Sequence, residues 1–171
     1  MKRLGASVVV GLVGLFLVGC EPFLLYEDTW PEFKAPADKA LCVIIRPSGM
    51  YGNLAHVWVD GKLVGGTTGN TVMSFEVEPG EHLVLSKIQI MAKVKFNFQP
   101  GKVYYILQAA FPIPIGITTL VSCSLVPMPG DEATAKLEQE KGKCKYTKLN
   151  PNVEAEDLDP DDVEEERENW K

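Results

Sequence analysis

Side chains that commonly carry catalysis or bind metals are few and scattered in this chain. The two histidines, His56 and His82, have no second histidine or cysteine at the spacing of metal ligands. Ser48, His56 and Asp60 could be written as a nucleophile–base–acid triad. Strand alternation would put His56 and Asp60 on one face, but nothing in the sequence brings Ser48 towards them. Nucleophile-elbow, Walker and dinucleotide-binding motifs are also missing from the sequence. We therefore predict no enzymatic activity, no metal and no cofactor, with His56 a structural residue and His82 facing solvent.

The N-terminus carries the most specific motif of the chain. Residues 1–3 are Met-Lys-Arg, and an uncharged apolar run follows over residues 4–19. This run is shorter than the ~20 residues that span a bilayer as a helix, which favours a secretory signal. It ends in Leu17-Val18-Gly19-Cys20, which is similar to a bacterial lipobox, with small residues at the cleavage site and a thiol that can accept a diacylglyceryl group. We predict cleavage between Gly19 and Cys20 and lipidation of Cys20; the alternative is a signal anchor with an incidental cysteine.

Lipidation at Cys20 would determine the compartment. Two acyl chains on the glyceride and a third on the freed amine hold a protein more firmly than a single chain does. Glu21 follows the cysteine, and similarity to Gram-negative lipoproteins implies that a residue other than aspartate there permits export to the outer membrane. We expect a protein anchored to the outer membrane through its N-terminal lipid and facing the periplasm of a Gram-negative host.

The remaining cysteines, Cys42, Cys123 and Cys144, are an odd number in an oxidising compartment. One disulfide and one buried thiol would account for them. We favour a Cys123–Cys144 disulfide, because the predicted helix between them can fold back on the strand that carries Cys123. Cys42 and Cys123 could instead be ordinary buried residues of their strands. The chain has no CxxC spacing, which argues against a thioredoxin-like role.

Composition and charge set the domain limits. The 171 residues are 46% hydrophobic, which excludes a fully disordered chain, and the net charge of −6 argues against nucleic-acid binding. Residues 20–39 contain three prolines and predict a lipidated tether, although residues 23–26 (Phe-Leu-Leu-Tyr) could lie in the lipid interface or pack on the domain. Residues 149–171 are strongly acidic and predict a disordered tail. The folded domain should therefore span residues 40–148.

Short apolar runs separated by turn residues fill this domain. Asp60-Gly61 and Pro79-Gly80 are hairpin and turn signals, and residues 93–98 alternate polar and apolar side chains. The proline-rich segment 111–116 is expected to be an edge or a crossover. A helix is predicted near residues 131–141, with Asp131 as its cap. The pattern predicts a mainly β fold, an antiparallel β-sandwich of immunoglobulin or transthyretin type with one C-terminal helix. The predicted strands cover residues 40–45, 54–59, 62–65, 71–77, 83–90, 93–98, 103–110 and 118–126.

Four segments resemble a family of small bacterial lipoproteins of unknown function with a PEGA-like β-sandwich domain. They are Cys42–Ser48, Val57–Gly65, Phe75–His82 and Gln99–Ile106, within a similarity that covers about residues 40–126. The resemblance implies a β-sandwich in a cell-envelope setting. It carries over no catalytic residues, so the turns at Asp60-Gly61 and Pro79-Gly80 are interpreted as structural.

These patterns together favour a lipid-anchored, non-enzymatic binding or assembly module of the cell envelope. Its partner would be an envelope protein, and aromatic side chains such as Trp58, Tyr104 or Tyr105 would form the contact surface. The alternative is contact with a glycan or peptidoglycan through aromatic stacking. A less favoured hypothesis is an envelope hydrolase that would use His56 with an acidic neighbour.

Overall fold

A computed structural model describes residues 24–47, 49, 53–152, 157–158 and 160–168. The predicted signal segment, Gly19, Cys20 and Ser48 lie outside the described residues. Ten strands and two helices are present in the described part of the chain. They are β1 (Leu25–Asp28), β2 (Ala40–Arg46), β3 (Ala55–Val59), β4 (Lys62–Thr67), β5 (Thr71–Val77), β6 (Gly80–Lys87), β7 (Met91–Phe98), β8 (Val103–Ile115), β9 (Thr118–Met128), α1 (Gly130–Glu140), β10 (Lys145–Leu149) and α2 (Pro160–Glu168).

The strands form two sheets, which confirms the predicted mainly β fold. The larger sheet has the order β1-β10-β5-β2-β8-β9, and the smaller sheet has the order β4-β3-β6-β7. Most neighbouring strands are antiparallel, and three of these pairs, β3–β4, β6–β7 and β8–β9, are consecutive strands joined by short turns. Two pairs, β2 with β8 and β10 with β5, are parallel. Both join strands that are distant in sequence, and the order of apolar runs along the chain does not reveal such a pairing.

The main core lies between the two sheets. Alternate residues of β2 point inward, and Cys42 and Ile44 are completely buried there. Val57 and Val84 reach the same cluster from the smaller sheet. The alternation of side chains along a strand therefore turns one set of β2 residues towards this core and leaves Leu41, Val43 and Ile45 on the opposite face.

That opposite face of the larger sheet is covered by α1 and by residues 30–35. The predicted helix near 131–141 is confirmed as Gly130–Glu140, and it buries Ala133, Leu137 and Glu140. The predicted cap is wrong: Pro129 occupies the N-cap position and no side chain caps the helix. Proline is compatible with this end of a helix because the N–H it lacks has no partner within the helix.

The lipidated tether predicted over residues 20–39 is folded onto the domain in the part that the structure describes. Of the two alternatives for residues 23–26, packing on the domain is the one found for residues 24–26. Residues Leu25–Asp28 form β1, which pairs with β10 along its whole length. Glu27 and Asp28 form ion pairs with Lys145 and Lys148 of β10, each with an N–O distance of 2.7 Å. These two acidic residues thus match lysines on a strand that would otherwise be an open edge.

The prediction of a disordered acidic tail is also wrong for the described residues. The helix α2 packs on the outer face of the smaller sheet, where Val163 is buried. Lys93 Nζ lies 2.6 Å from Glu166 Oε2, and Arg167 lies 3.0 Å from Asp60. The tail is therefore held by one ion pair in each direction, Glu166 with a lysine of the domain and Arg167 with an aspartate of the domain. Val163 and Leu158 add apolar contact.

Candidate functional site

A cleft of about 510 Å³ lies on the outer face of the larger sheet. We call it the aromatic cleft. One wall is the segment that follows β1, the other is α1, and the floor includes Tyr105 of β8. Its lining residues are Trp30, Pro31, Glu32, Phe33, Tyr105, Thr134, Leu137, Glu138 and Lys141.

Aromatic packing fixes the N-terminal wall. The ring centroids of Trp30 and Phe33 are 6.0 Å apart in an edge-on arrangement, and Phe33 meets the buried Tyr146 at 5.9 Å in the same manner. Edge-to-face pairs of this kind add about 0.5–1.5 kcal/mol beyond the burial of their area. Trp30 is thus held by a chain of aromatic contacts that ends in the core under α1.

The chemistry of the cleft combines aromatic surface with a charged rim. Trp30, Phe33 and Tyr105 are partly buried, so each offers some apolar surface to the cleft. Glu32 and Glu138 are exposed at the rim, and Lys141 Nζ lies 3.7 Å from Glu138 Oε1. Such a site suits a ligand that has an apolar face and a polar or hydroxylated edge.

The aromatic residues predicted as a contact surface are only partly brought together. Tyr105 lines the aromatic cleft. Trp58 is 6% exposed and its ring stacks with that of His56, with centroids 5.6 Å apart. Tyr104 packs edge-on against Phe98, and its hydroxyl accepts a hydrogen bond from the Gln99 N–H. Trp58 and Tyr104 therefore serve packing.

Trp30 and Phe33 were missed as site residues because they lie in a segment that looked like a tether. The available signal was the presence of two aromatic side chains among prolines in a chain segment with acidic residues. Aromatic residues contribute little to a solvated linker, so their presence is a reason to expect packing.

The triad of Ser48, His56 and Asp60 is not supported by the described residues. Asp60 Oδ2 lies 2.6 Å from Nδ1 of His82, and Asp60 Oδ1 accepts the backbone N–H of Leu83. The turn between β3 and β4 carries Asp60 across to the start of β6, so that its carboxylate meets His82 instead of His56. The expectation that His82 faces solvent is wrong: this side chain is 19% exposed and lies beside Phe98.

The predicted Cys123–Cys144 disulfide is absent: Cys42, Cys123 and Cys144 are buried thiols that form no disulfide with one another. Cys123 points between the sheets, where its Sγ lies 3.7 Å from Ser86 Oγ. Cys144 lies in the cluster on the other face of the larger sheet, and its Sγ is 3.5 Å from Glu140 Oε2. The larger sheet thus separates the two thiols.

A buried polar network surrounds Cys123. Gln108 accepts a hydrogen bond from the Thr67 hydroxyl and donates one to Ser86 Oγ over 2.6 Å. Arg46, which is fully buried, donates to the backbone carbonyl oxygens of Asn53 and Thr67. Burial raises the pKa of the Cys123 thiol, although the bond to Ser86 and the Arg46 charge oppose this effect. A thiol that is harder to ionise is a poor nucleophile, so the network is a structural part of the core.

Among the residues that the structure describes, no three His, Cys, Asp or Glu side chains come together as a metal site would require. Within the same residues, no helix combines the length and apolarity that crossing a bilayer demands. Neither finding bears on Cys20.

Comparison with known proteins gives no match, since no family model, curated protein or solved structure is similar to this chain. The resemblance to small envelope lipoproteins therefore stays a prediction.

Proposed function

We propose that this protein is a lipid-anchored, non-enzymatic binding module of the bacterial cell envelope whose aromatic cleft receives its ligand. The observation that carries the proposal is the cleft itself. Trp30 and Tyr105 line it beside two carboxylates, on a domain whose large core keeps the walls in place. The membrane attachment rests on the order of positive residues, apolar run and lipobox that ends at Cys20.

The proposal that the protein is not an enzyme is supported by the surroundings of the two histidines. His56 stacks on Trp58, and His82 is held by Asp60 beneath Arg167. Ser86 lies next to His56, and its hydroxyl donates a hydrogen bond to the backbone carbonyl oxygen of His56. Replacing His56 by glutamine should accordingly leave function in cells intact, whereas a hydrolase that uses His56 would lose its activity.

Lipidation is tested by the fate of Cys20. The Cys20→Ala variant should incorporate no labelled fatty acid and should keep its signal segment, because the thiol that accepts the glyceride is gone. Normal processing of that variant would refute the lipoprotein assignment.

The cleft is tested by crosslinking in cells. A photoreactive amino acid at Glu138, on the cleft rim, should capture the ligand of the anchored protein. The same residue at Glu132 is the control, because Glu132 is exposed on α1 and does not line the cleft. Equal capture from the two positions would refute the assignment of the cleft.

A glycan is the second candidate, favoured by the pairing of aromatic surface with the carboxylates of Glu32 and Glu138. Soluble peptidoglycan fragments should then change the fluorescence of Trp30, and Trp30→Ala should weaken their binding by about tenfold, as the loss of an aromatic anchor does. Tyr26→Ala is the matched control, because Tyr26 is 40% exposed and lies outside the cleft. Crosslinking to a protein without any response to the fragments would favour the protein partner.

A further inference from the structure

The β8–β9 hairpin extends beyond the body of the domain. β8 pairs with β2 only as far as Leu107, but it continues with β9 to Ile115. Gln89, in the turn between β6 and β7, hydrogen-bonds both the N–H and the C=O of Val121. Past this point the hairpin continues through residues 113–120, which we call the hairpin tip. Ile115 is 48% exposed and Ile117 is fully exposed at its turn.

The hairpin tip is apolar on both faces. Paired residues share a face, so that Ile113, Ile115 and Leu120 lie on one side. Pro112 and Pro114 lie on the other. The only polar side chains of the tip are two threonines, and the sequence has no charged residue between Lys102 and Asp131. A surface built to dock on a protein normally surrounds one apolar face with a polar rim, whereas this tip is apolar on both faces and has no charged rim.

The backbone of the tip presents few free donors. Val121 directs its N–H and C=O to Gln89 and therefore away from β8. Val121 and Pro112 are accordingly a non-hydrogen-bonded pair of the β8–β9 ladder. Pro112 and, two residues later, Pro114 therefore turn their ring nitrogens to the open edge of β8. An ordinary residue would present an unpaired N–H there, and proline presents none.

Two consequences follow from these prolines. The edge cannot template another strand at these positions, which argues against strand pairing with a second copy. Moving an edge without N–H donors from water into lipid also costs less free energy, because each unsatisfied backbone group is costly in lipid.

We propose that the hairpin tip inserts into the boundary between headgroups and acyl chains of a lipid bilayer. From Val121 to the turn the tip spans four residues, or about 13 Å at the rise of a strand, which is comparable to the ~5–10 Å depth of interfacial insertion. β1 lies four strands away from β8 in the sheet and begins at the end opposite the hairpin tip. The hairpin tip would therefore be a membrane contact separate from the lipid at the N-terminus, which the proposed function supplies.

The test places a tryptophan in the tip of the full chain. Ile117→Trp protein is mixed with phosphatidylethanolamine–phosphatidylglycerol vesicles that contain lipids brominated on the acyl chains, and the signal of the parent protein is subtracted. Lys102→Trp is the matched control, since Lys102 is exposed at the opposite end of β8. We expect a blue-shifted emission for Trp at 117 and several-fold stronger quenching than for Trp at 102.

Two results would overturn the proposal. One is quenching at 117 no stronger than at 102. The other is a blue shift at 117 without quenching, which would place the tip against protein. A second variant, Ile117→Lys, should lower partition into the vesicles by about tenfold, as expected when one isoleucine that enters lipid is replaced by a cation. The tryptophan reports on the tip whether or not Cys20 is acylated, so a failed anchor and a failed insertion give different results.

Discussion

Replacing Gly61 by alanine tests the docking of the acidic C-terminal helix on the domain. Asp60 and Gly61 both have positive φ, 50° and 87°, and form the two-residue turn between β3 and β4. A Cβ atom at Gly61 would lie 2.6 Å from Cγ2 of Val163 in α2. Valine is stiff at χ1, so the contact can be relieved only by a shift of the helix.

The expected magnitude has two parts. Alanine in the left-handed region costs about 1–2 kcal/mol at any position. Displacing α2 costs at most the free energy that its docking contributes to stability. Burial of the two Val163 methyl groups accounts for about 1–2 kcal/mol of that free energy. Gly61→Ala should therefore lower the free energy of unfolding by about 2–4 kcal/mol, and Val163→Ala alone by about 1–2 kcal/mol.

A double-mutant cycle measured by urea denaturation separates these parts. The double variant Gly61→Ala/Val163→Ala should be more stable than the sum of the single effects by about 1–2 kcal/mol, because the shortened side chain removes the clash. Gly142→Ala is the control, with φ of 81° and no atom within 4 Å of its Cβ position. Its effect should add to that of Val163→Ala to within about 0.5 kcal/mol. If the effects of Gly61→Ala and Val163→Ala were also additive, the contact between α2 and the turn would be refuted.

Three further outcomes follow from the described contacts. The hydrogen bond from Lys148 lowers the pKa of Asp28 below its ordinary 3.8. The pair therefore stabilises β1 above pH 3.8, and this stabilisation is lost as the pH falls through the lower pKa of the folded state. In the Lys148→Ala variant, an NMR titration should find the pKa of Asp28 restored towards 3.8. Gln108→Leu should cost about 1–3 kcal/mol in urea denaturation, because a buried hydroxyl loses its acceptor, and an unchanged stability would contradict the network. Cys123 and Cys144 should stay reduced, so treatment with a reductant should leave the mass of the protein unaltered.

Much of the local structure was predictable from residues close in sequence. The strand over 71–77 is found with the predicted bounds, and the turn at Asp60-Gly61 has the positive φ angles that its residues favour. Both features depend on alternation and on the conformational preferences of neighbouring residues. The helix near 131–141 was predictable for the same reason, from the spacing of Ala133 and Leu137.

The candidate site was less accessible to this reasoning. Tyr105 was named as a contact residue, but its neighbours in the cleft come from a segment about 70 residues earlier and from α1. Trp58 shows the converse case, since its strand was predicted correctly while its burial depends on Leu83 and Leu85 of another strand. An aromatic side chain in a strand can face core or solvent, and only its neighbours in space decide which.

The sequence by itself determined the mainly β fold, the turns and the helix α1, because each depends on residue types within a few positions of one another. Only the tertiary structure decided where the charged terminal segments lie. Arg167 meets Asp60 across 107 residues of chain, and Lys145 meets Glu27 across 118. Composition shows these segments as solvated because it counts their charges, whereas the fold supplies the opposite charges and the apolar surface that order them.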